Sequence, residues 1–111
     1  MTVIRIFVND NDDVLGFRIS GHAGAGTEGN DVVCAAISAV AYTILGSLEQ
    51  LANVDISSAK ISDGFMEFKL SGDYPDGTPD VVSCIFATME VGFQQIAGSY
   101  GQYARIEYDE V

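Results

Sequence analysis

Large apolar side chains occupy every second position in two neighbouring segments near the start of the chain, residues 2–8 and 14–22. The apolar positions are Ile4, Ile6 and Val8 in the first segment and Leu15, Phe17 and Ile19 in the second. This repeat of two is typical of strands that bury one face. Residues 9–13 are all asparagine or aspartate and favour a turn. The pattern therefore predicts a β-hairpin.

From residue 31 to residue 53 the apolar positions recur at helical spacing and predict a long helix. One stripe consists of Val33, Ile37, Val40, Ile44, Leu48 and Leu51. Asp31 is a suitable N-cap, because its carboxylate can accept hydrogen bonds from N–H groups that the first helical turn leaves unpaired. The other side is also apolar, with Ala36, Ala41, Leu45 and Ala52. We therefore expect this helix to bury a second face, at a subunit interface.

Turn chemistry predicts a second hairpin and a final strand. Asp63 and Gly64 form a dipeptide that tolerates the positive φ angles of a tight turn, so we predict strands over residues 57–62 and 65–71. Residues 103–108 have the composition of a last strand.

A second helix is predicted between the second hairpin and the last strand. It begins with Thr78 as cap and Pro79 at the first helical position, and it ends near Gly98. Its core stripe is Val82, Ile85, Phe86, Met89, Phe93 and Ile96. Cys84 lies among these apolar residues, and we interpret it as a core thiol.

The resulting order of elements is ββαββαβ, without the βαβ alternation of a parallel sheet. It predicts an α+β fold with two helices packed on a mostly antiparallel sheet. A chain of 111 residues without an internal linker or repeat is expected to form one domain, over residues 1–111.

Composition and charge exclude several classes of protein. Hydrophobic residues make up 48% of the chain and charged residues 19%, which is typical of an ordinary globular domain. The formal charge of −11 should repel nucleic acid and attract basic peptides, although an acidic surface can equally serve only to keep a protein soluble. The uncharged run over residues 32–48 is interpreted as a buried helix, so no membrane partner is expected. Two distant cysteines and an N-terminus without signal-peptide character indicate a cytoplasmic protein.

The candidate chemistry lies in residues 21–38, which combine a histidine, a loop with several glycines and a cysteine in the first turn of the predicted helix. If Asp31 is the cap, Cys34 is the third helical residue, where the helix dipole favours a thiolate. His22, the one histidine in the chain, can supply a neighbouring imidazole if the loop folds back. Each residue alone has a structural explanation, but the combination indicates a Cys–His pair.

Residues around this pair are candidates for supporting it or for lining a substrate site. Ser38 lies one turn after Cys34 on the same helical face, and Asp31 one turn before it. Asp31 can equally be only a cap, and Ser38 only a small residue that permits close packing. Further candidates lie beside His22, namely Gly21, Ala23 and Gly24. We expect the glycine-containing loop over residues 23–30 to order over a bound peptide.

These residues closely resemble the ribosomal-processing cysteine protease family. Its shared pattern is a GHA tripeptide, matched by residues 21–23, a glycine-containing loop, and a D-x-V-C-A-A-x-S helix start, matched by residues 31–38. The resemblance implies that Cys34 is the nucleophile and His22 the general base. It also implies a homodimer joined through helices. The implied substrate is a large-subunit ribosomal protein whose basic N-terminal segment is trimmed after an aromatic pair.

Two other functions compete with this interpretation. The glycine-containing loop before a helix N-terminus could form an anion-binding module, although it lacks the lysine of a P-loop and carries acidic residues. The chain could also be a ribosome-associated protein that binds the same basic segment without cutting it. One histidine and two distant cysteines offer no usual metal-ligand spacing, so neither a metal nor another cofactor is expected.

Overall fold

The chain forms two helices and a five-stranded mixed sheet. The computed structural model describes residues 1–22, 31–72 and 74–111. The elements are β1 (Thr2–Val8), β2 (Val14–Ser20), α1 (Val32–Ala52), β3 (Lys60–Ser62), β4 (Phe65–Lys69), α2 (Asp80–Ser99) and β5 (Ala104–Glu110). Their order confirms the predicted α+β fold with the sequence ββαββαβ.

The strands lie side by side in the order β3-β4-β2-β1-β5. Three neighbouring pairs are antiparallel, as predicted, and β5 pairs in parallel with the other side of β1. In the first hairpin Ile6 lies opposite Phe17, and in the parallel pair Thr2 lies opposite Ala104. This register places the start of β1, the end of β2 and the start of β4 at one end of the sheet.

A single apolar core joins one face of the sheet to both helices. The strand residues in this core are Ile4, Ile6, Phe17, Ile19, Met66, Phe68 and Ala104. From α2, Phe93 meets Phe17 edge to face, with ring centroids 6.4 Å apart. Both rings are fully buried. The alternation predicted for β1 and β2 is therefore the alternation between this core and the outer face of the sheet.

The outer face of the sheet carries the basic residues of the protein. The chain has five lysines and arginines, one on each strand: Arg5, Arg18, Lys60, Lys69 and Arg105. Arg5 and Arg18 lie directly opposite each other, and each has an acidic neighbour on the next strand, Glu107 and Glu67. The acidic neighbours offset the repulsion between the two arginines.

Helix α1 begins as predicted, but its buried stripe differs from the predicted one. Asp31 is the N-cap, and Asn53 ends the helix in a left-handed conformation. The prediction that Leu51 belongs to the core is wrong, because this side chain is 70% exposed. Conversely, Ala41 and Leu45, which the sequence places on the second face, are both buried inside their own chain. The buried residues of α1 lie within one arc of about 120° around the helix axis, so inside its own chain the helix buries a single face, wider on the Ala41 and Leu45 side than predicted.

Helix α2 corrects two other predictions. It begins at Asp80 with Pro79 as the N-cap residue, and the Thr78 hydroxyl bonds the Ser83 hydroxyl at 2.7 Å instead of capping the backbone. Cys84 is exposed, so its interpretation as a core thiol is wrong. The buried residues of α2 are Val82, Ile85, Phe86, Met89 and Phe93. Cys84 falls outside this stripe because consecutive helical residues point about 100° apart.

The second hairpin is shorter than predicted on its first strand. The backbone N–H of Ser57 donates to the Asp55 carboxylate at 2.9 Å, and the N–H of Ala59 donates to the Ile56 carbonyl at 3.0 Å. These bonds hold residues 55–59 in a turn, so β3 begins only at Lys60.

Both helices are long and apolar enough to cross a membrane by length and composition. Core helices of globular proteins meet the same criterion. Here each helix contributes a buried stripe to the core that it shares with the sheet, which favours the interpretation of residues 32–48 as part of a core helix.

Candidate active site

A cavity of about 200 Å³ lies where the end of β2, the first turns of α1 and the β3–β4 turn come together. Four of the predicted site residues line it: Gly21, His22, Cys34 and Ser38. The two residues of the predicted Cys–His pair, which are separated by the loop over residues 23–30, therefore face one common space.

Helix α1 fixes the position of Cys34. The Asp31 carboxylate accepts the backbone N–H groups of Val33 and Cys34, each at 3.0 Å, which makes Cys34 the third helical residue as predicted. Its thiol is half-buried. The Thr2 hydroxyl, itself almost fully buried at the start of β1, lies 4.0 Å from Cys34 Sγ. The thiol is thus held between a helix N-terminus and a polar group of the sheet.

The backbone at the end of β2 fixes the position of His22. Gly21 has a φ of +92°, and an ideal Cβ at this position would lie 2.5 Å from the Met1 carbonyl oxygen. Only glycine fits there, because the left-handed φ and the close carbonyl both exclude a side chain. The Gly21 N–H donates to the Gly64 carbonyl at 2.9 Å. The His22 side chain is 64% exposed, and its Nε2 lies 4.0 Å from Asp63 Oδ1.

The remaining predicted site residues differ in what the structure says of them. Ser38 lines the cavity from α1 and is exposed. Asp31 holds the helix start and is not among the residues that line the cavity. Ala23 and Gly24 lie outside the described residues, as does the loop that we expect to order over a bound peptide.

The rest of the cavity wall is largely apolar. Buried Ile19, Ile37 and Met66 line it from the core, and Tyr42 and Ile61 line it from the surface. Tyr42 and Ile61 are 52% and 51% exposed, respectively. A cavity with an apolar wall and few polar groups suits the side chain of an apolar residue in a bound peptide.

Several residues that line the cavity are not among the predicted site residues. Thr2 looked like an ordinary strand residue, and Asp63 and Gly64 like an ordinary hairpin turn. Tyr42 lies on α1 one turn after Ser38, so helical spacing could have revealed it. Thr2, Asp63 and Gly64 reach the cavity only through the pairing of strands, for which the local sequence carries no signal.

Charge in the cavity is sparse. Among the lining residues that the structure describes, Asp63 is the one carboxylate, and there is no lysine or arginine. Within residues 1–22, 31–72 and 74–111, no group of three or more histidine, cysteine, aspartate or glutamate side chains could hold a metal ion. The chemistry that these described residues can offer is therefore that of a thiol and an imidazole.

A thiol and an imidazole in one open cavity can carry out nucleophilic acyl transfer. The imidazole can take the thiol proton and later return it to a leaving group. The Cys34 N–H is bonded to Asp31, so a developing oxyanion needs another donor.

Comparison with known proteins identifies close relatives over nearly the whole chain. A family model described as "Cysteine protease Prp" matches residues 1–105. The ribosomal processing cysteine protease Prp of Staphylococcus aureus is 31% identical over 110 residues, covering 97% of this chain and 99% of that protein. The fold is also similar to a crystal structure of an essential ribosomal processing protease Prp from S. aureus with a covalently linked product peptide. The TM-score is 0.86 at 29% sequence identity, and the match covers 98% of this chain and 100% of that chain. A second crystal structure of that protease, with a substrate peptide, gives a TM-score of 0.82 at 28% identity, covering 98% of this chain and 100% of that one.

Proposed function

The chain belongs to the cysteine protease Prp family and is a cysteine protease, and from this premise we propose that Cys34 is its nucleophile and His22 its general base. The observation that carries the assignment is that both side chains line one cavity. The only other cysteine, Cys84, is exposed on α2 and does not line it. Membership of a family of cysteine proteases favours the protease over the anion-binding module and the non-catalytic binding protein.

The reaction would follow the usual two stages of a cysteine protease. His22 takes the proton of the Cys34 thiol, and Sγ attacks the carbonyl carbon of the scissile peptide bond. The tetrahedral intermediate collapses to a thioester as the C–N bond breaks, and the imidazolium gives its proton to the leaving amine. Water, deprotonated by His22, then hydrolyses the thioester and restores the thiol. The product peptide covalently linked to the S. aureus protease is consistent with such an intermediate.

Asp31 and Ser38 have supporting roles in this scheme. Asp31 is a positioning residue, because its carboxylate bonds the backbone N–H of Cys34 itself. Ser38 lines the cavity one turn further along α1 and can contact the bound peptide. Gly21 sets the direction in which the chain leaves β2 and so the place of His22.

We propose that the substrate is the basic N-terminal segment of a large-subunit ribosomal protein precursor. The formal charge of −11 supports a basic partner. The location of the charges supports it further, because every lysine and arginine lies on a strand of the sheet, whereas α1 and α2 contain only acidic charges. Among the described residues that line the cavity there is no lysine or arginine. The same charges disfavour direct binding of nucleic acid.

We also propose that the protein is a homodimer joined through its helices, in the cytoplasm. An apolar groove of about 280 Å³ runs between α1 and α2 and is lined by Ala39, Val40, Thr43, Ile44, Thr88 and Gly92. Sedimentation at micromolar concentration should give twice the chain mass. Ala39→Glu, which places a charge in the groove, should give monomers, and Gln102→Glu at an exposed turn should not. A wild-type monomer would contradict the dimer.

Peptide cleavage tests the catalytic assignment. A synthetic peptide with a basic N-terminal extension is incubated with the protein, and the products are measured by mass spectrometry. Cys34→Ala and His22→Ala should each abolish cleavage without loss of fold, and Cys84→Ala should remain active. Because members of a catalytic unit act together, the double variant should be scarcely worse than either single one. Cleavage by Cys34→Ala near the parental rate would refute the assignment.

A second peptide tests the substrate proposal independently. In this peptide the lysines and arginines of the extension are replaced by glutamine, and the residues around the scissile bond are unchanged. We expect a higher KM with a similar kcat, because the charges act on association. Equal KM values for the two peptides at low salt would contradict recognition by charge while leaving the Cys–His assignment intact.

A further inference from the structure

The turn between β3 and β4 contacts the imidazole of His22 directly. An ideal Cβ built on Gly64 would lie 2.8 Å from His22 Nε2 and 3.4 Å from both Cδ2 and Cε1. The imidazole edge therefore rests against the bare Cα of Gly64, in a space that any other residue would fill. Gly64 also has a φ of +69°, so this position favours glycine for two separate reasons.

The same turn is fixed to the backbone that carries His22. The Gly64 carbonyl accepts the N–H of Gly21 at 2.9 Å, directly after the last pair of the β2–β4 ladder, Ser20 with Phe65. A backbone hydrogen bond consequently joins the residue before His22 to the turn on which the His22 ring rests. A shift of the turn would shift the environment of the ring with it.

Asp63 adds a charge to this contact. Its Oδ1 lies 4.0 Å from His22 Nε2, and both groups line the cavity. The carboxylate is 92% exposed and the imidazole 64%. A contact between a carboxylate and an imidazole that are both so accessible to water contributes little to stability, so its role lies in the orientation of the ring.

We propose that the β3–β4 turn positions His22 for catalysis, with Asp63 and Gly64 as positioning residues; this inference rests on the proposed function of His22 as the general base. A carboxylate beside Nε2 favours the tautomer with its hydrogen on Nε2. The Nδ1 lone pair is then the one that accepts the proton of the Cys34 thiol. Gly64 keeps the ring in place, because its missing side chain leaves room for the ring edge.

The competing explanation is that Asp63 and Gly64 only close a hairpin, for which this dipeptide is common. The two explanations differ in what a substitution changes. A turn that only closes the hairpin affects stability, whereas a positioning turn affects kcat at saturating peptide.

Gly64→Ala is the main test, with Gly72→Ala as its matched control. Gly72 has a φ of +98°, and no atom of the residues that the structure describes lies within 4 Å of an ideal Cβ, so alanine strains the backbone there without touching a described neighbour. Both variants should therefore lose a similar amount of thermal stability. Gly64→Ala should also lower kcat by about ten- to a hundred-fold, because a displaced catalytic group loses its attack geometry. Gly72→Ala should keep the parental kcat.

Asp63→Asn tests the charge without requiring the turn to change. We expect kcat to fall about two- to five-fold, the range of an exposed ion pair. Asp63→Glu, which keeps the charge, should retain more activity, and Asp76→Asn, a surface control away from the cavity, should retain all of it. High salt should reduce the kcat of the parent toward that of Asp63→Asn.

The proposal is overturned if Gly64→Ala and Asp63→Asn both keep the parental kcat while His22→Ala is inactive, since His22 would then act without support from the turn. Cleavage by His22→Ala would instead contradict the proposed function itself. The two failures are therefore distinguishable in one set of assays.

Discussion

The cap of helix α1 provides a quantitative test of how the protein holds its nucleophile. The Asp31 carboxylate accepts two backbone N–H groups, those of Val33 and Cys34, each at 3.0 Å. Asp31→Ala removes both acceptor bonds and the negative charge at the positive end of the helix dipole. Asp31→Asn removes the charge but keeps an oxygen that can accept the same N–H groups.

The expected magnitudes follow from these contacts. Loss of an N-cap costs about 0.5–2 kcal/mol. Loss of a favourable charge at a helix N-terminus costs about 0.3–1 kcal/mol. We therefore expect Asp31→Ala to lower the free energy of unfolding by about 1–2 kcal/mol, or Tm by about 4–8 °C for a domain of this size. Asp31→Asn should lower it by only about 0.5 kcal/mol.

Urea denaturation and peptide cleavage, measured on the same preparations, separate a cap from a catalytic acid. On our interpretation, Asp31→Asn keeps most of the cleavage rate, because the first turn of α1 still presents Cys34 correctly. Asp31→Ala should lower kcat as well as stability, since the Cys34 N–H loses the acceptor that orders it.

Two results would refute this reasoning. Equal stability of Asp31→Ala and the parent would mean that the two hydrogen bonds do not hold the helix start. An Asp31→Asn protein that is stable but inactive would mean that the charge itself takes part in the chemistry, so that Asp31 is more than a cap.

Three further predictions concern the rest of the fold. Phe93→Ala should cost about 3–5 kcal/mol in chemical denaturation, because the ring is fully buried in the core. A hydrogen bond to Glu90 raises the pKa of Tyr108 above its usual value of 10.0. The protonated Tyr108 hydroxyl therefore stabilises the fold below that pH, and this stabilisation is lost as the pH rises through the raised pKa. The advantage of the parent over Tyr108→Phe should accordingly vanish in strongly alkaline urea titrations. A hydrogen bond to Asp10 and the charge of Asp10 raise the pKa of Glu110. The protonated carboxyl of Glu110 therefore favours the fold in acid, and its ionised form opposes the fold at higher pH. Glu110→Gln should therefore raise Tm at neutral pH, with a smaller gain in acid or in high salt.

Features that depend on neighbouring residues were predictable from the sequence. The alternation in β1 and β2, the Asp31 cap and the place of Cys34 in the first turn of α1 agree with the structure. Each follows from a repeat or a cap that spans only a few residues. The family resemblance likewise rested on short motifs around His22 and Cys34, and the comparison with known proteins confirms it.

Features that depend on how distant segments meet were decided only by the tertiary structure. The parallel pairing of β5 with β1, the exposure of Cys84 and the burial of Leu45 depend on which faces the helices and strands share. The same holds for Asp63, which reaches His22 because β4 pairs with β2. A local pattern indicates the type of an element, but in a helix that is apolar on several sides it fixes neither the side that becomes buried nor the partner that covers it. The partner is selected by the free energy of burying the whole core at once, to which every element contributes.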